Sequence, residues 1–153
     1  MYTEQMTQRL LIGAPIPPQQ LTTTTTVNSG SIDFQKVRRG LFHFQTGVFG
    51  GTSPTLSALL QLQESSDNAT WSNNATIPSF TLTNASQQAT LEINTSQLGT
   101  GKRYVRLQAV CTIGGTSPTI PISGAALGDE GVEKPARLNN DASIPAGNQT
   151  VVN

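Results

Sequence analysis

The sequence predicts an all-β protein, an antiparallel β-sandwich of jelly-roll or immunoglobulin-like kind with extended N- and C-terminal arms. Three observations predict it. Apolar and polar residues alternate at period two in several short runs, no segment sustains a helical period, and clusters of Gly, Pro, Asn and Ser separate the runs. At 153 residues the chain has the size of one domain with a core of its own.

Residues 1–27 come first. Pro15, Pro17 and Pro18 forbid a helix there, and the threonine run that follows favours extended backbone. This stretch is expected to be an N-terminal arm. Leu10, Leu11 and Ile12 form an apolar triplet without alternation, read as an anchor on another subunit. Thr22, Thr23, Thr24, Thr25 and Thr26 are suited to strand addition on a neighbour.

Residues 28–128 are expected to form the sandwich. Phe42, Phe44 and Val48 share one face, and Ala58, Leu60 and Leu62 alternate with Ser57, Gln61 and Gln63. Phe80 with Leu82, Leu91 with Ile93, and Ile120 with Ile122 repeat the pattern in shorter runs. Val105, Leu107, Ala109, Cys111 and Ile113 take every odd position of the clearest run. The expected core therefore contains Phe42, Phe44, Leu60, Leu62, Val105, Leu107 and Ala109. Residues 129–153, rich in Gly, Pro and Asn, are expected to be an extended C-terminal tail. Both arms are expected to be held by another chain, because termini without a packing partner are rarely ordered.

One hexapeptide is written twice: GGTSPT occupies 50–55 and again 114–119. Each copy follows a predicted strand (41–49, 104–113) and precedes another (56–63, 120–127), so each is expected to be a hairpin-end loop. The glycines supply positive φ, and Pro54 and Pro118 stand where no ladder donor is needed. A phosphate-binding loop would need GKS or GKT opening a helix, and neither follows. Two identical tips at one end of a sandwich are expected to contact a partner through Thr52 and Thr116.

Composition narrows the function. Charged residues make up 12%, about half the usual share, and 9 basic against 9 acidic residues give a formal net charge of +0. No long-range field steers such a chain onto a polyanion, so nucleic acid is not an expected partner. Lys36, Arg38 and Arg39, the one basic cluster, read as a solvated strand edge. Cys111 stands alone, which excludes an intramolecular disulfide and a cysteine-ligated zinc site and marks it as a small core residue. No apolar stretch approaches the length of a membrane span and no leader opens the chain, so no membrane partner is expected and synthesis is expected in a cytoplasm. Asn-X-Ser/Thr triplets open at Asn68, Asn74, Asn84, Asn94 and Asn148, and are read as a product of composition.

Catalytic chemistry lacks its parts. His43 is the single histidine and falls on the face opposite Phe42 and Phe44, and no base-and-orienter set surrounds it in sequence. No HxxxH, cysteine pair or Asp-X-Asp-X-Asp-Gly loop offers a metal cage, and Glu64, Asp67 and Glu92 are scattered. SSDNATW, residues 65–71, resembles the Asp-box hairpin of sialidases, Ser-X-Asp-X-Gly-X-Thr-Trp, with Ala69 in the place of glycine and one residue fewer. Asp67 and Asn68 are read as the turn and Trp71 as a core anchor. The chain is expected not to be an enzyme, with no catalytic residue, metal or cofactor.

VNSGSIDFQKVRRGLFHFQTGVFGG, LQLQESSDNATW, LEINTSQLGTGKRYVRLQAVCTIGG and PISGAALGD, spread over Val27 to Asp129, together resemble a family of small tailed-bacteriophage virion proteins, commonly capsid decoration (cement) proteins. The marks are Asp33 ahead of Arg38 and Arg39, a Phe-rich strand ending at Gly47, the strand end Leu62 to Ser65, and the run Arg103 to Arg106. The resemblance implies a β-sandwich on the capsid surface of a virion. It would be made in the host bacterial cytoplasm and would bridge subunits of the major capsid protein. It further implies self-association as a trimer, with a dimer as the alternative. The alternative function is a tail-fibre or baseplate module binding host carbohydrate or another tail protein. Exposed aromatics would be expected of a sugar binder, and aromatic residues are only 5%.

Overall fold

The structure, a computed structural model, describes residues 9–132. Nine strands are placed among them: β1 (Leu11–Leu21), β2 (Thr25–Asn28), β3 (Ile32–Asp33), β4 (Arg39–Thr46), β5 (Gly50–Ser65), β6 (Ser72–Asn73), β7 (Phe80–Leu82), β8 (Gln88–Asn94) and β9 (Tyr104–Asp129). Every pairing between them is antiparallel. The domain is an all-β antiparallel sandwich, as the period-two runs predict.

The frame is one long ribbon. The C-terminal half of β9 pairs with β4 from Arg39 opposite Asp129 to Thr46 opposite Ile122, and its N-terminal half pairs with β5 from Leu56 opposite Ile113 to Ser65 opposite Tyr104. Between these halves the Gly47 amide donates to the Pro121 carbonyl at 2.8 Å, so the ladder continues through the junction. The ribbon folds over in its middle and its halves become the centres of two layers. One layer runs β1, β9, β4, β8; the other places β5 beside β9, with β2 and β3 on the β9 side and β6 and β7 on the β5 side.

The inward faces meet in a single core. Phe42 and Phe44 of β4, Leu60 of β5, and Val105, Leu107 and Ala109 of β9 are fully shielded, with Leu62 at 1% exposure, so all seven expected core residues face inward. Burying each large side chain contributes roughly 1.5–3 kcal/mol before the cost of ordering it. Polar groups caught at the rim are satisfied: the buried Glu64 carboxylate accepts from the Asn74 side-chain amide at 2.7 Å and from the Gly99 backbone amide at 3.0 Å.

Four expectations are corrected. The N-terminal stretch is not a free arm, since β1 lies along β9 from Leu11 opposite Gly128 to Leu21 opposite Ile120, and Leu11, Ile16 and Leu21 are buried in the core. β9 offers an edge along both halves, and a tethered segment of the same chain fills it without the translational cost of a second molecule. Pro15, Pro17 and Pro18 are compatible with this because β1 is an edge strand, with register shifts on both sides of Ile16. β2 likewise pairs Thr25 and Thr26 with Cys111 and Val110, so the sandwich begins at Leu11 and not at residue 28. At the other end β9 closes on Asp129, which ion-pairs with Arg9, and residues 133–153 of the expected tail lie outside the described residues.

The second correction concerns the hexapeptides, which are strand and not hairpin ends: β5 starts with the first and β9 runs through the second. Third, Val48 is 76% and Phe80 52% exposed, because β4 ends at Thr46 and Phe80 lies on the short outer strand β7. Fourth, Trp71 is half-buried on the outer surface under the Arg106 guanidinium, whose carbon stands 4.3 Å from the ring centroid.

Two outcomes follow from this packing. Cys111 has no exposed surface and burial pushes its thiol up to about 11, so it should stay unreactive toward a thiol reagent at neutral pH until the domain unfolds. Labelling in native buffer and in denaturant checks this. Burial opposes ionisation of Asp33, but hydrogen bonds from Arg103 (2.6 and 2.8 Å) and the Gln35 amide, with the charges of Arg103 and Lys36, hold its carboxyl below the ordinary 3.8. A lowered folded-state value means stability that is present above the ordinary carboxylate range and lost as pH falls through the lower value. Urea midpoints measured from about pH 6 to pH 2 should therefore fall less steeply for Asp33→Asn than for the native chain.

Candidate functional site

The two copies of GGTSPT pair with each other. Gly50 stands opposite Thr119, Thr52 opposite Thr116, and Thr55 opposite Gly114, with a register shift on each side of the Thr52–Thr116 pair. Antiparallel pairing of identical sequences creates a local two-fold axis, and the backbone obeys it: φ is 101° at Gly51 and 109° at Gly115, and 49° at both Ser53 and Ser117. A Cβ on Gly51 would stand 2.5 Å from the Ser117 carbonyl oxygen, and one on Gly115 would stand 2.7 Å from that of Ser53. Each strand thus supplies the glycine that the other strand's serine requires, which is why the hexapeptide occurs twice. Thr52, Ser53, Thr116 and Ser117 are all exposed. The result is an exposed uncharged ribbon at the fold-over between the layers.

The outer faces of the two layers differ. On the β4 layer, Ile12, Leu127 and Leu41 lie in one cross-strand row, with Ile12 38% and Leu41 37% exposed. Beside this row stands a charged one, in which Arg39 approaches Glu130 at 3.4 Å and Arg9 pairs with Asp129. On the β5 layer the outer face carries amides. Gln61 donates to Gln108 at 2.7 Å, Gln63 to Asn73 at 3.1 Å, Gln108 to Asn28 at 3.2 Å and Asn73 to Gln61 at 3.2 Å. Arg106 lies among them with two bonds to the Gln63 side-chain oxygen, at 2.7 and 3.0 Å.

The turn that delivers Trp71 is built by Asp67. Its carboxylate accepts from the Thr70 and Ala69 amides (2.8 and 2.9 Å) and from the Ser65 hydroxyl (2.8 Å), which hold it well below the usual carboxylate range. Asn68 takes the left-handed φ of 59° that such a turn needs. The sequence reading of Asp67 and Asn68 as a turn agrees with this geometry.

The expected contact residues scatter. Leu11 is committed to the core, Leu10 is half-buried before β1, and Ile12 alone of the triplet reaches the outer face. Thr22, Thr23, Thr24, Thr25 and Thr26 are exposed, but Thr25 and Thr26 already pair with β9, and the Thr24 hydroxyl accepts from the Ile113 amide at 3.0 Å. Thr52 and Thr116 are brought face to face rather than to separate tips. His43 is half-buried with Nε2 3.3 Å from Gln88 Oε1, and among the described residues no three of His, Cys, Asp and Glu converge. The outer amides and Arg106 escaped sequence reasoning. The available signal is the polar positions that alternate with the core residues, Gln61 and Gln63 in one run and Arg106 and Gln108 in the other.

No protein-family model and no curated protein sequence matches the chain. Among solved structures, it is similar to a chain in the structure of infectious bursal disease virus Gx strain (TM-score 0.51, 17% identity) over 84% of this chain and 34% of that one. The corresponding chain of the Gt strain gives 0.50 and 14% over 84% and 35%. This chain therefore spans about a third of the length of the virus chains it matches. A family 11 carbohydrate-binding module from Clostridium thermocellum, in complex with a β-1,3-1,4-mixed-linked tetrasaccharide, aligns over 84% of this chain and 92% of its own at 12% identity. Its TM-score of 0.36 is too low to establish a common fold. The shared property is the fold, a β-sandwich found in chains of a virus structure.

The paired hexapeptides make a sharp mutational contrast. Gly51→Ala and Gly115→Ala each force a side chain into a backbone oxygen at positive φ and should destabilise by about 1–3 kcal/mol. Ser53→Gly and Ser117→Gly relieve the left-handed conformation while loosening the unfolded chain, so stability should stay within about 1 kcal/mol. Urea denaturation of the four variants measures both.

Proposed function

We propose that the chain is a non-enzymatic structural component of a virus particle, and specifically a bacteriophage decoration protein that docks on the outside of the capsid and bridges major capsid protein subunits. The observation that carries this reading is the fold, shared over 84% of the chain with chains in a virus structure. The sequence resemblance to phage decoration proteins supports the finer assignment. Its marks have structural roles here: Asp33 binds Arg103, Gln63 binds Arg106, and Glu64 anchors the Asn74 loop.

The surface suits adhesion without chemistry. The aliphatic row Ile12–Leu127–Leu41 provides apolar area for docking, and the hydroxyl-bearing ribbon provides polar contacts at the fold-over. Binding to the closed shell adds its free energy to shell stability by mass action, about 2.7 kcal/mol per site at a hundredfold excess over Kd. Several such contacts per particle add by multivalency.

Sedimentation of the purified protein with empty capsids lacking it, and in parallel with intact host cells, tests the reading. Capsid binding is expected, and Leu41→Asp should weaken it at least about tenfold by placing a charge in the apolar row. The double change Thr52→Ala and Thr116→Ala should weaken it less while leaving the fold intact. Light scattering of the free protein over a range of concentrations should show a trimer. Retention on cells and not on capsids would overturn the proposal.

A further inference from the structure

Among the described residues, three arginines face carboxylates: Arg9 faces Asp129, Arg39 faces Glu130 and Arg103 faces Asp33. Arg38 is exposed, where water solvates a cation without help. Arg106 differs from all four. It is half-buried on the outer face of the β5 layer and has no acidic partner among the described residues, and burial pushes its guanidinium below the ordinary value.

Its position is nevertheless fixed. Gln63 uses its amide hydrogens on Asn73 Oδ1 and Gln108 Oε1, which aims the Gln63 oxygen at Arg106, and that oxygen accepts from Nε and Nη2. The Trp71 ring supports the guanidinium plane from one side at 4.3 Å. A guanidinium has five N–H groups, and this one spends two on Gln63. The Nη1 pair and the second hydrogen of Nη2 therefore form a preorganised fork with no acceptor among the described residues. Such a fork matches a planar carboxylate.

The surroundings narrow the ligand class. Gln61, Gln108, Asn28 and Asn73 flank the fork, and side-chain amides can both donate to and accept from hydroxyls. The apolar side chains of β5 and β9 nearest the fork, Leu60, Leu62, Leu107 and Ala109, point to the core, and the outward aliphatic pair of Leu59 opposite Val110 is half-buried and lies beyond the Gln61–Gln108 pair, away from Arg106. We propose that this face binds a carboxylated saccharide of the sialic-acid or hexuronate type, with the sugar carboxylate on the Arg106 fork and its hydroxyls on the neighbouring amides.

Trp71 is the single tryptophan of the chain, so its emission reports on the site directly. The full chain is titrated with sialyllactose and with oligogalacturonate, and with lactose as the neutral control. A saturable emission change is expected for at least one acidic sugar and not for lactose, and the affinity should fall as salt rises. Arg106→Gln should lose at least tenfold in affinity. Arg106→Lys should be weaker than native because an ammonium cannot make the bidentate contact. Circular dichroism and urea midpoints identify variants that fail to fold, and Gln61→Ala, at the rim, then serves as the second test with an expected severalfold loss. Absence of response to either acidic sugar, equal response to lactose, or unchanged affinity in folded Arg106→Gln would each overturn the proposal. Loss of capsid binding in Arg106→Gln with no sugar response would also overturn it, assigning the fork to a carboxylate on the shell. Failure of capsid binding by the native chain bears on the decoration reading alone.

Discussion

The ladder between β9 and the β4–β5 strand pair is the interaction on which the rest of the domain depends. β1, β2 and β3 attach directly to β9, β8 attaches through β4, and β6 and β7 attach through β5. The ladder joins residues far apart in sequence, Gly50 with Thr119 and Arg39 with Asp129, so its closure entropy must be met before most core contacts form. The fold-over lets one ribbon serve as the centre of both layers, and the paired hexapeptides make it possible. Two glycines at positive φ, each against the other strand's carbonyl, let the ribbon bend without leaving the ladder.

Polar groups define the remainder of the architecture. Asn residues that form Asn-X-Ser/Thr triplets serve local structure: Asn74 caps its own loop by accepting from the Thr76 and Ile77 amides, and Asn94 with Gln97 makes a capping box on the short 3-10 turn at Thr95–Gln97. The same chemistry gives the β5 layer an outer face of mutually bonded amides, while the β4 layer keeps an aliphatic row. A protein with a formal net charge of +0 thus has two unlike faces without a strong field at either. Docking through the aliphatic row would leave Arg106 and Trp71 accessible.

Much of this was legible in the residues and some was not. The core positions of β4, β5 and β9 follow from alternation, because burial on one side of a strand acts on every second residue whatever the strand pairs with. The Asp67–Asn68 turn was legible for the same reason, since a turn is a local property of side chain and backbone. Pairing partners are not local. Nothing in LLIGAPIPPQQL states that an open edge of β9 awaits it, and its prolines, tolerable on an edge strand, looked like the mark of an arm.

The sequence by itself determined the fold class, the inward face of each long strand, the absence of a disulfide, and the need for glycine at two matching places. Only the tertiary structure decided that those two places face each other, that residues 11–28 belong to the sandwich, and that Trp71 lies under a guanidinium on the surface rather than in the core. The division has one physical cause. Periodicity and turn chemistry act between residues within a few positions of one another, whereas register, edge occupancy and the pairing of Arg106 with Gln63 are settled by which distant segments reach each other when the ribbon closes.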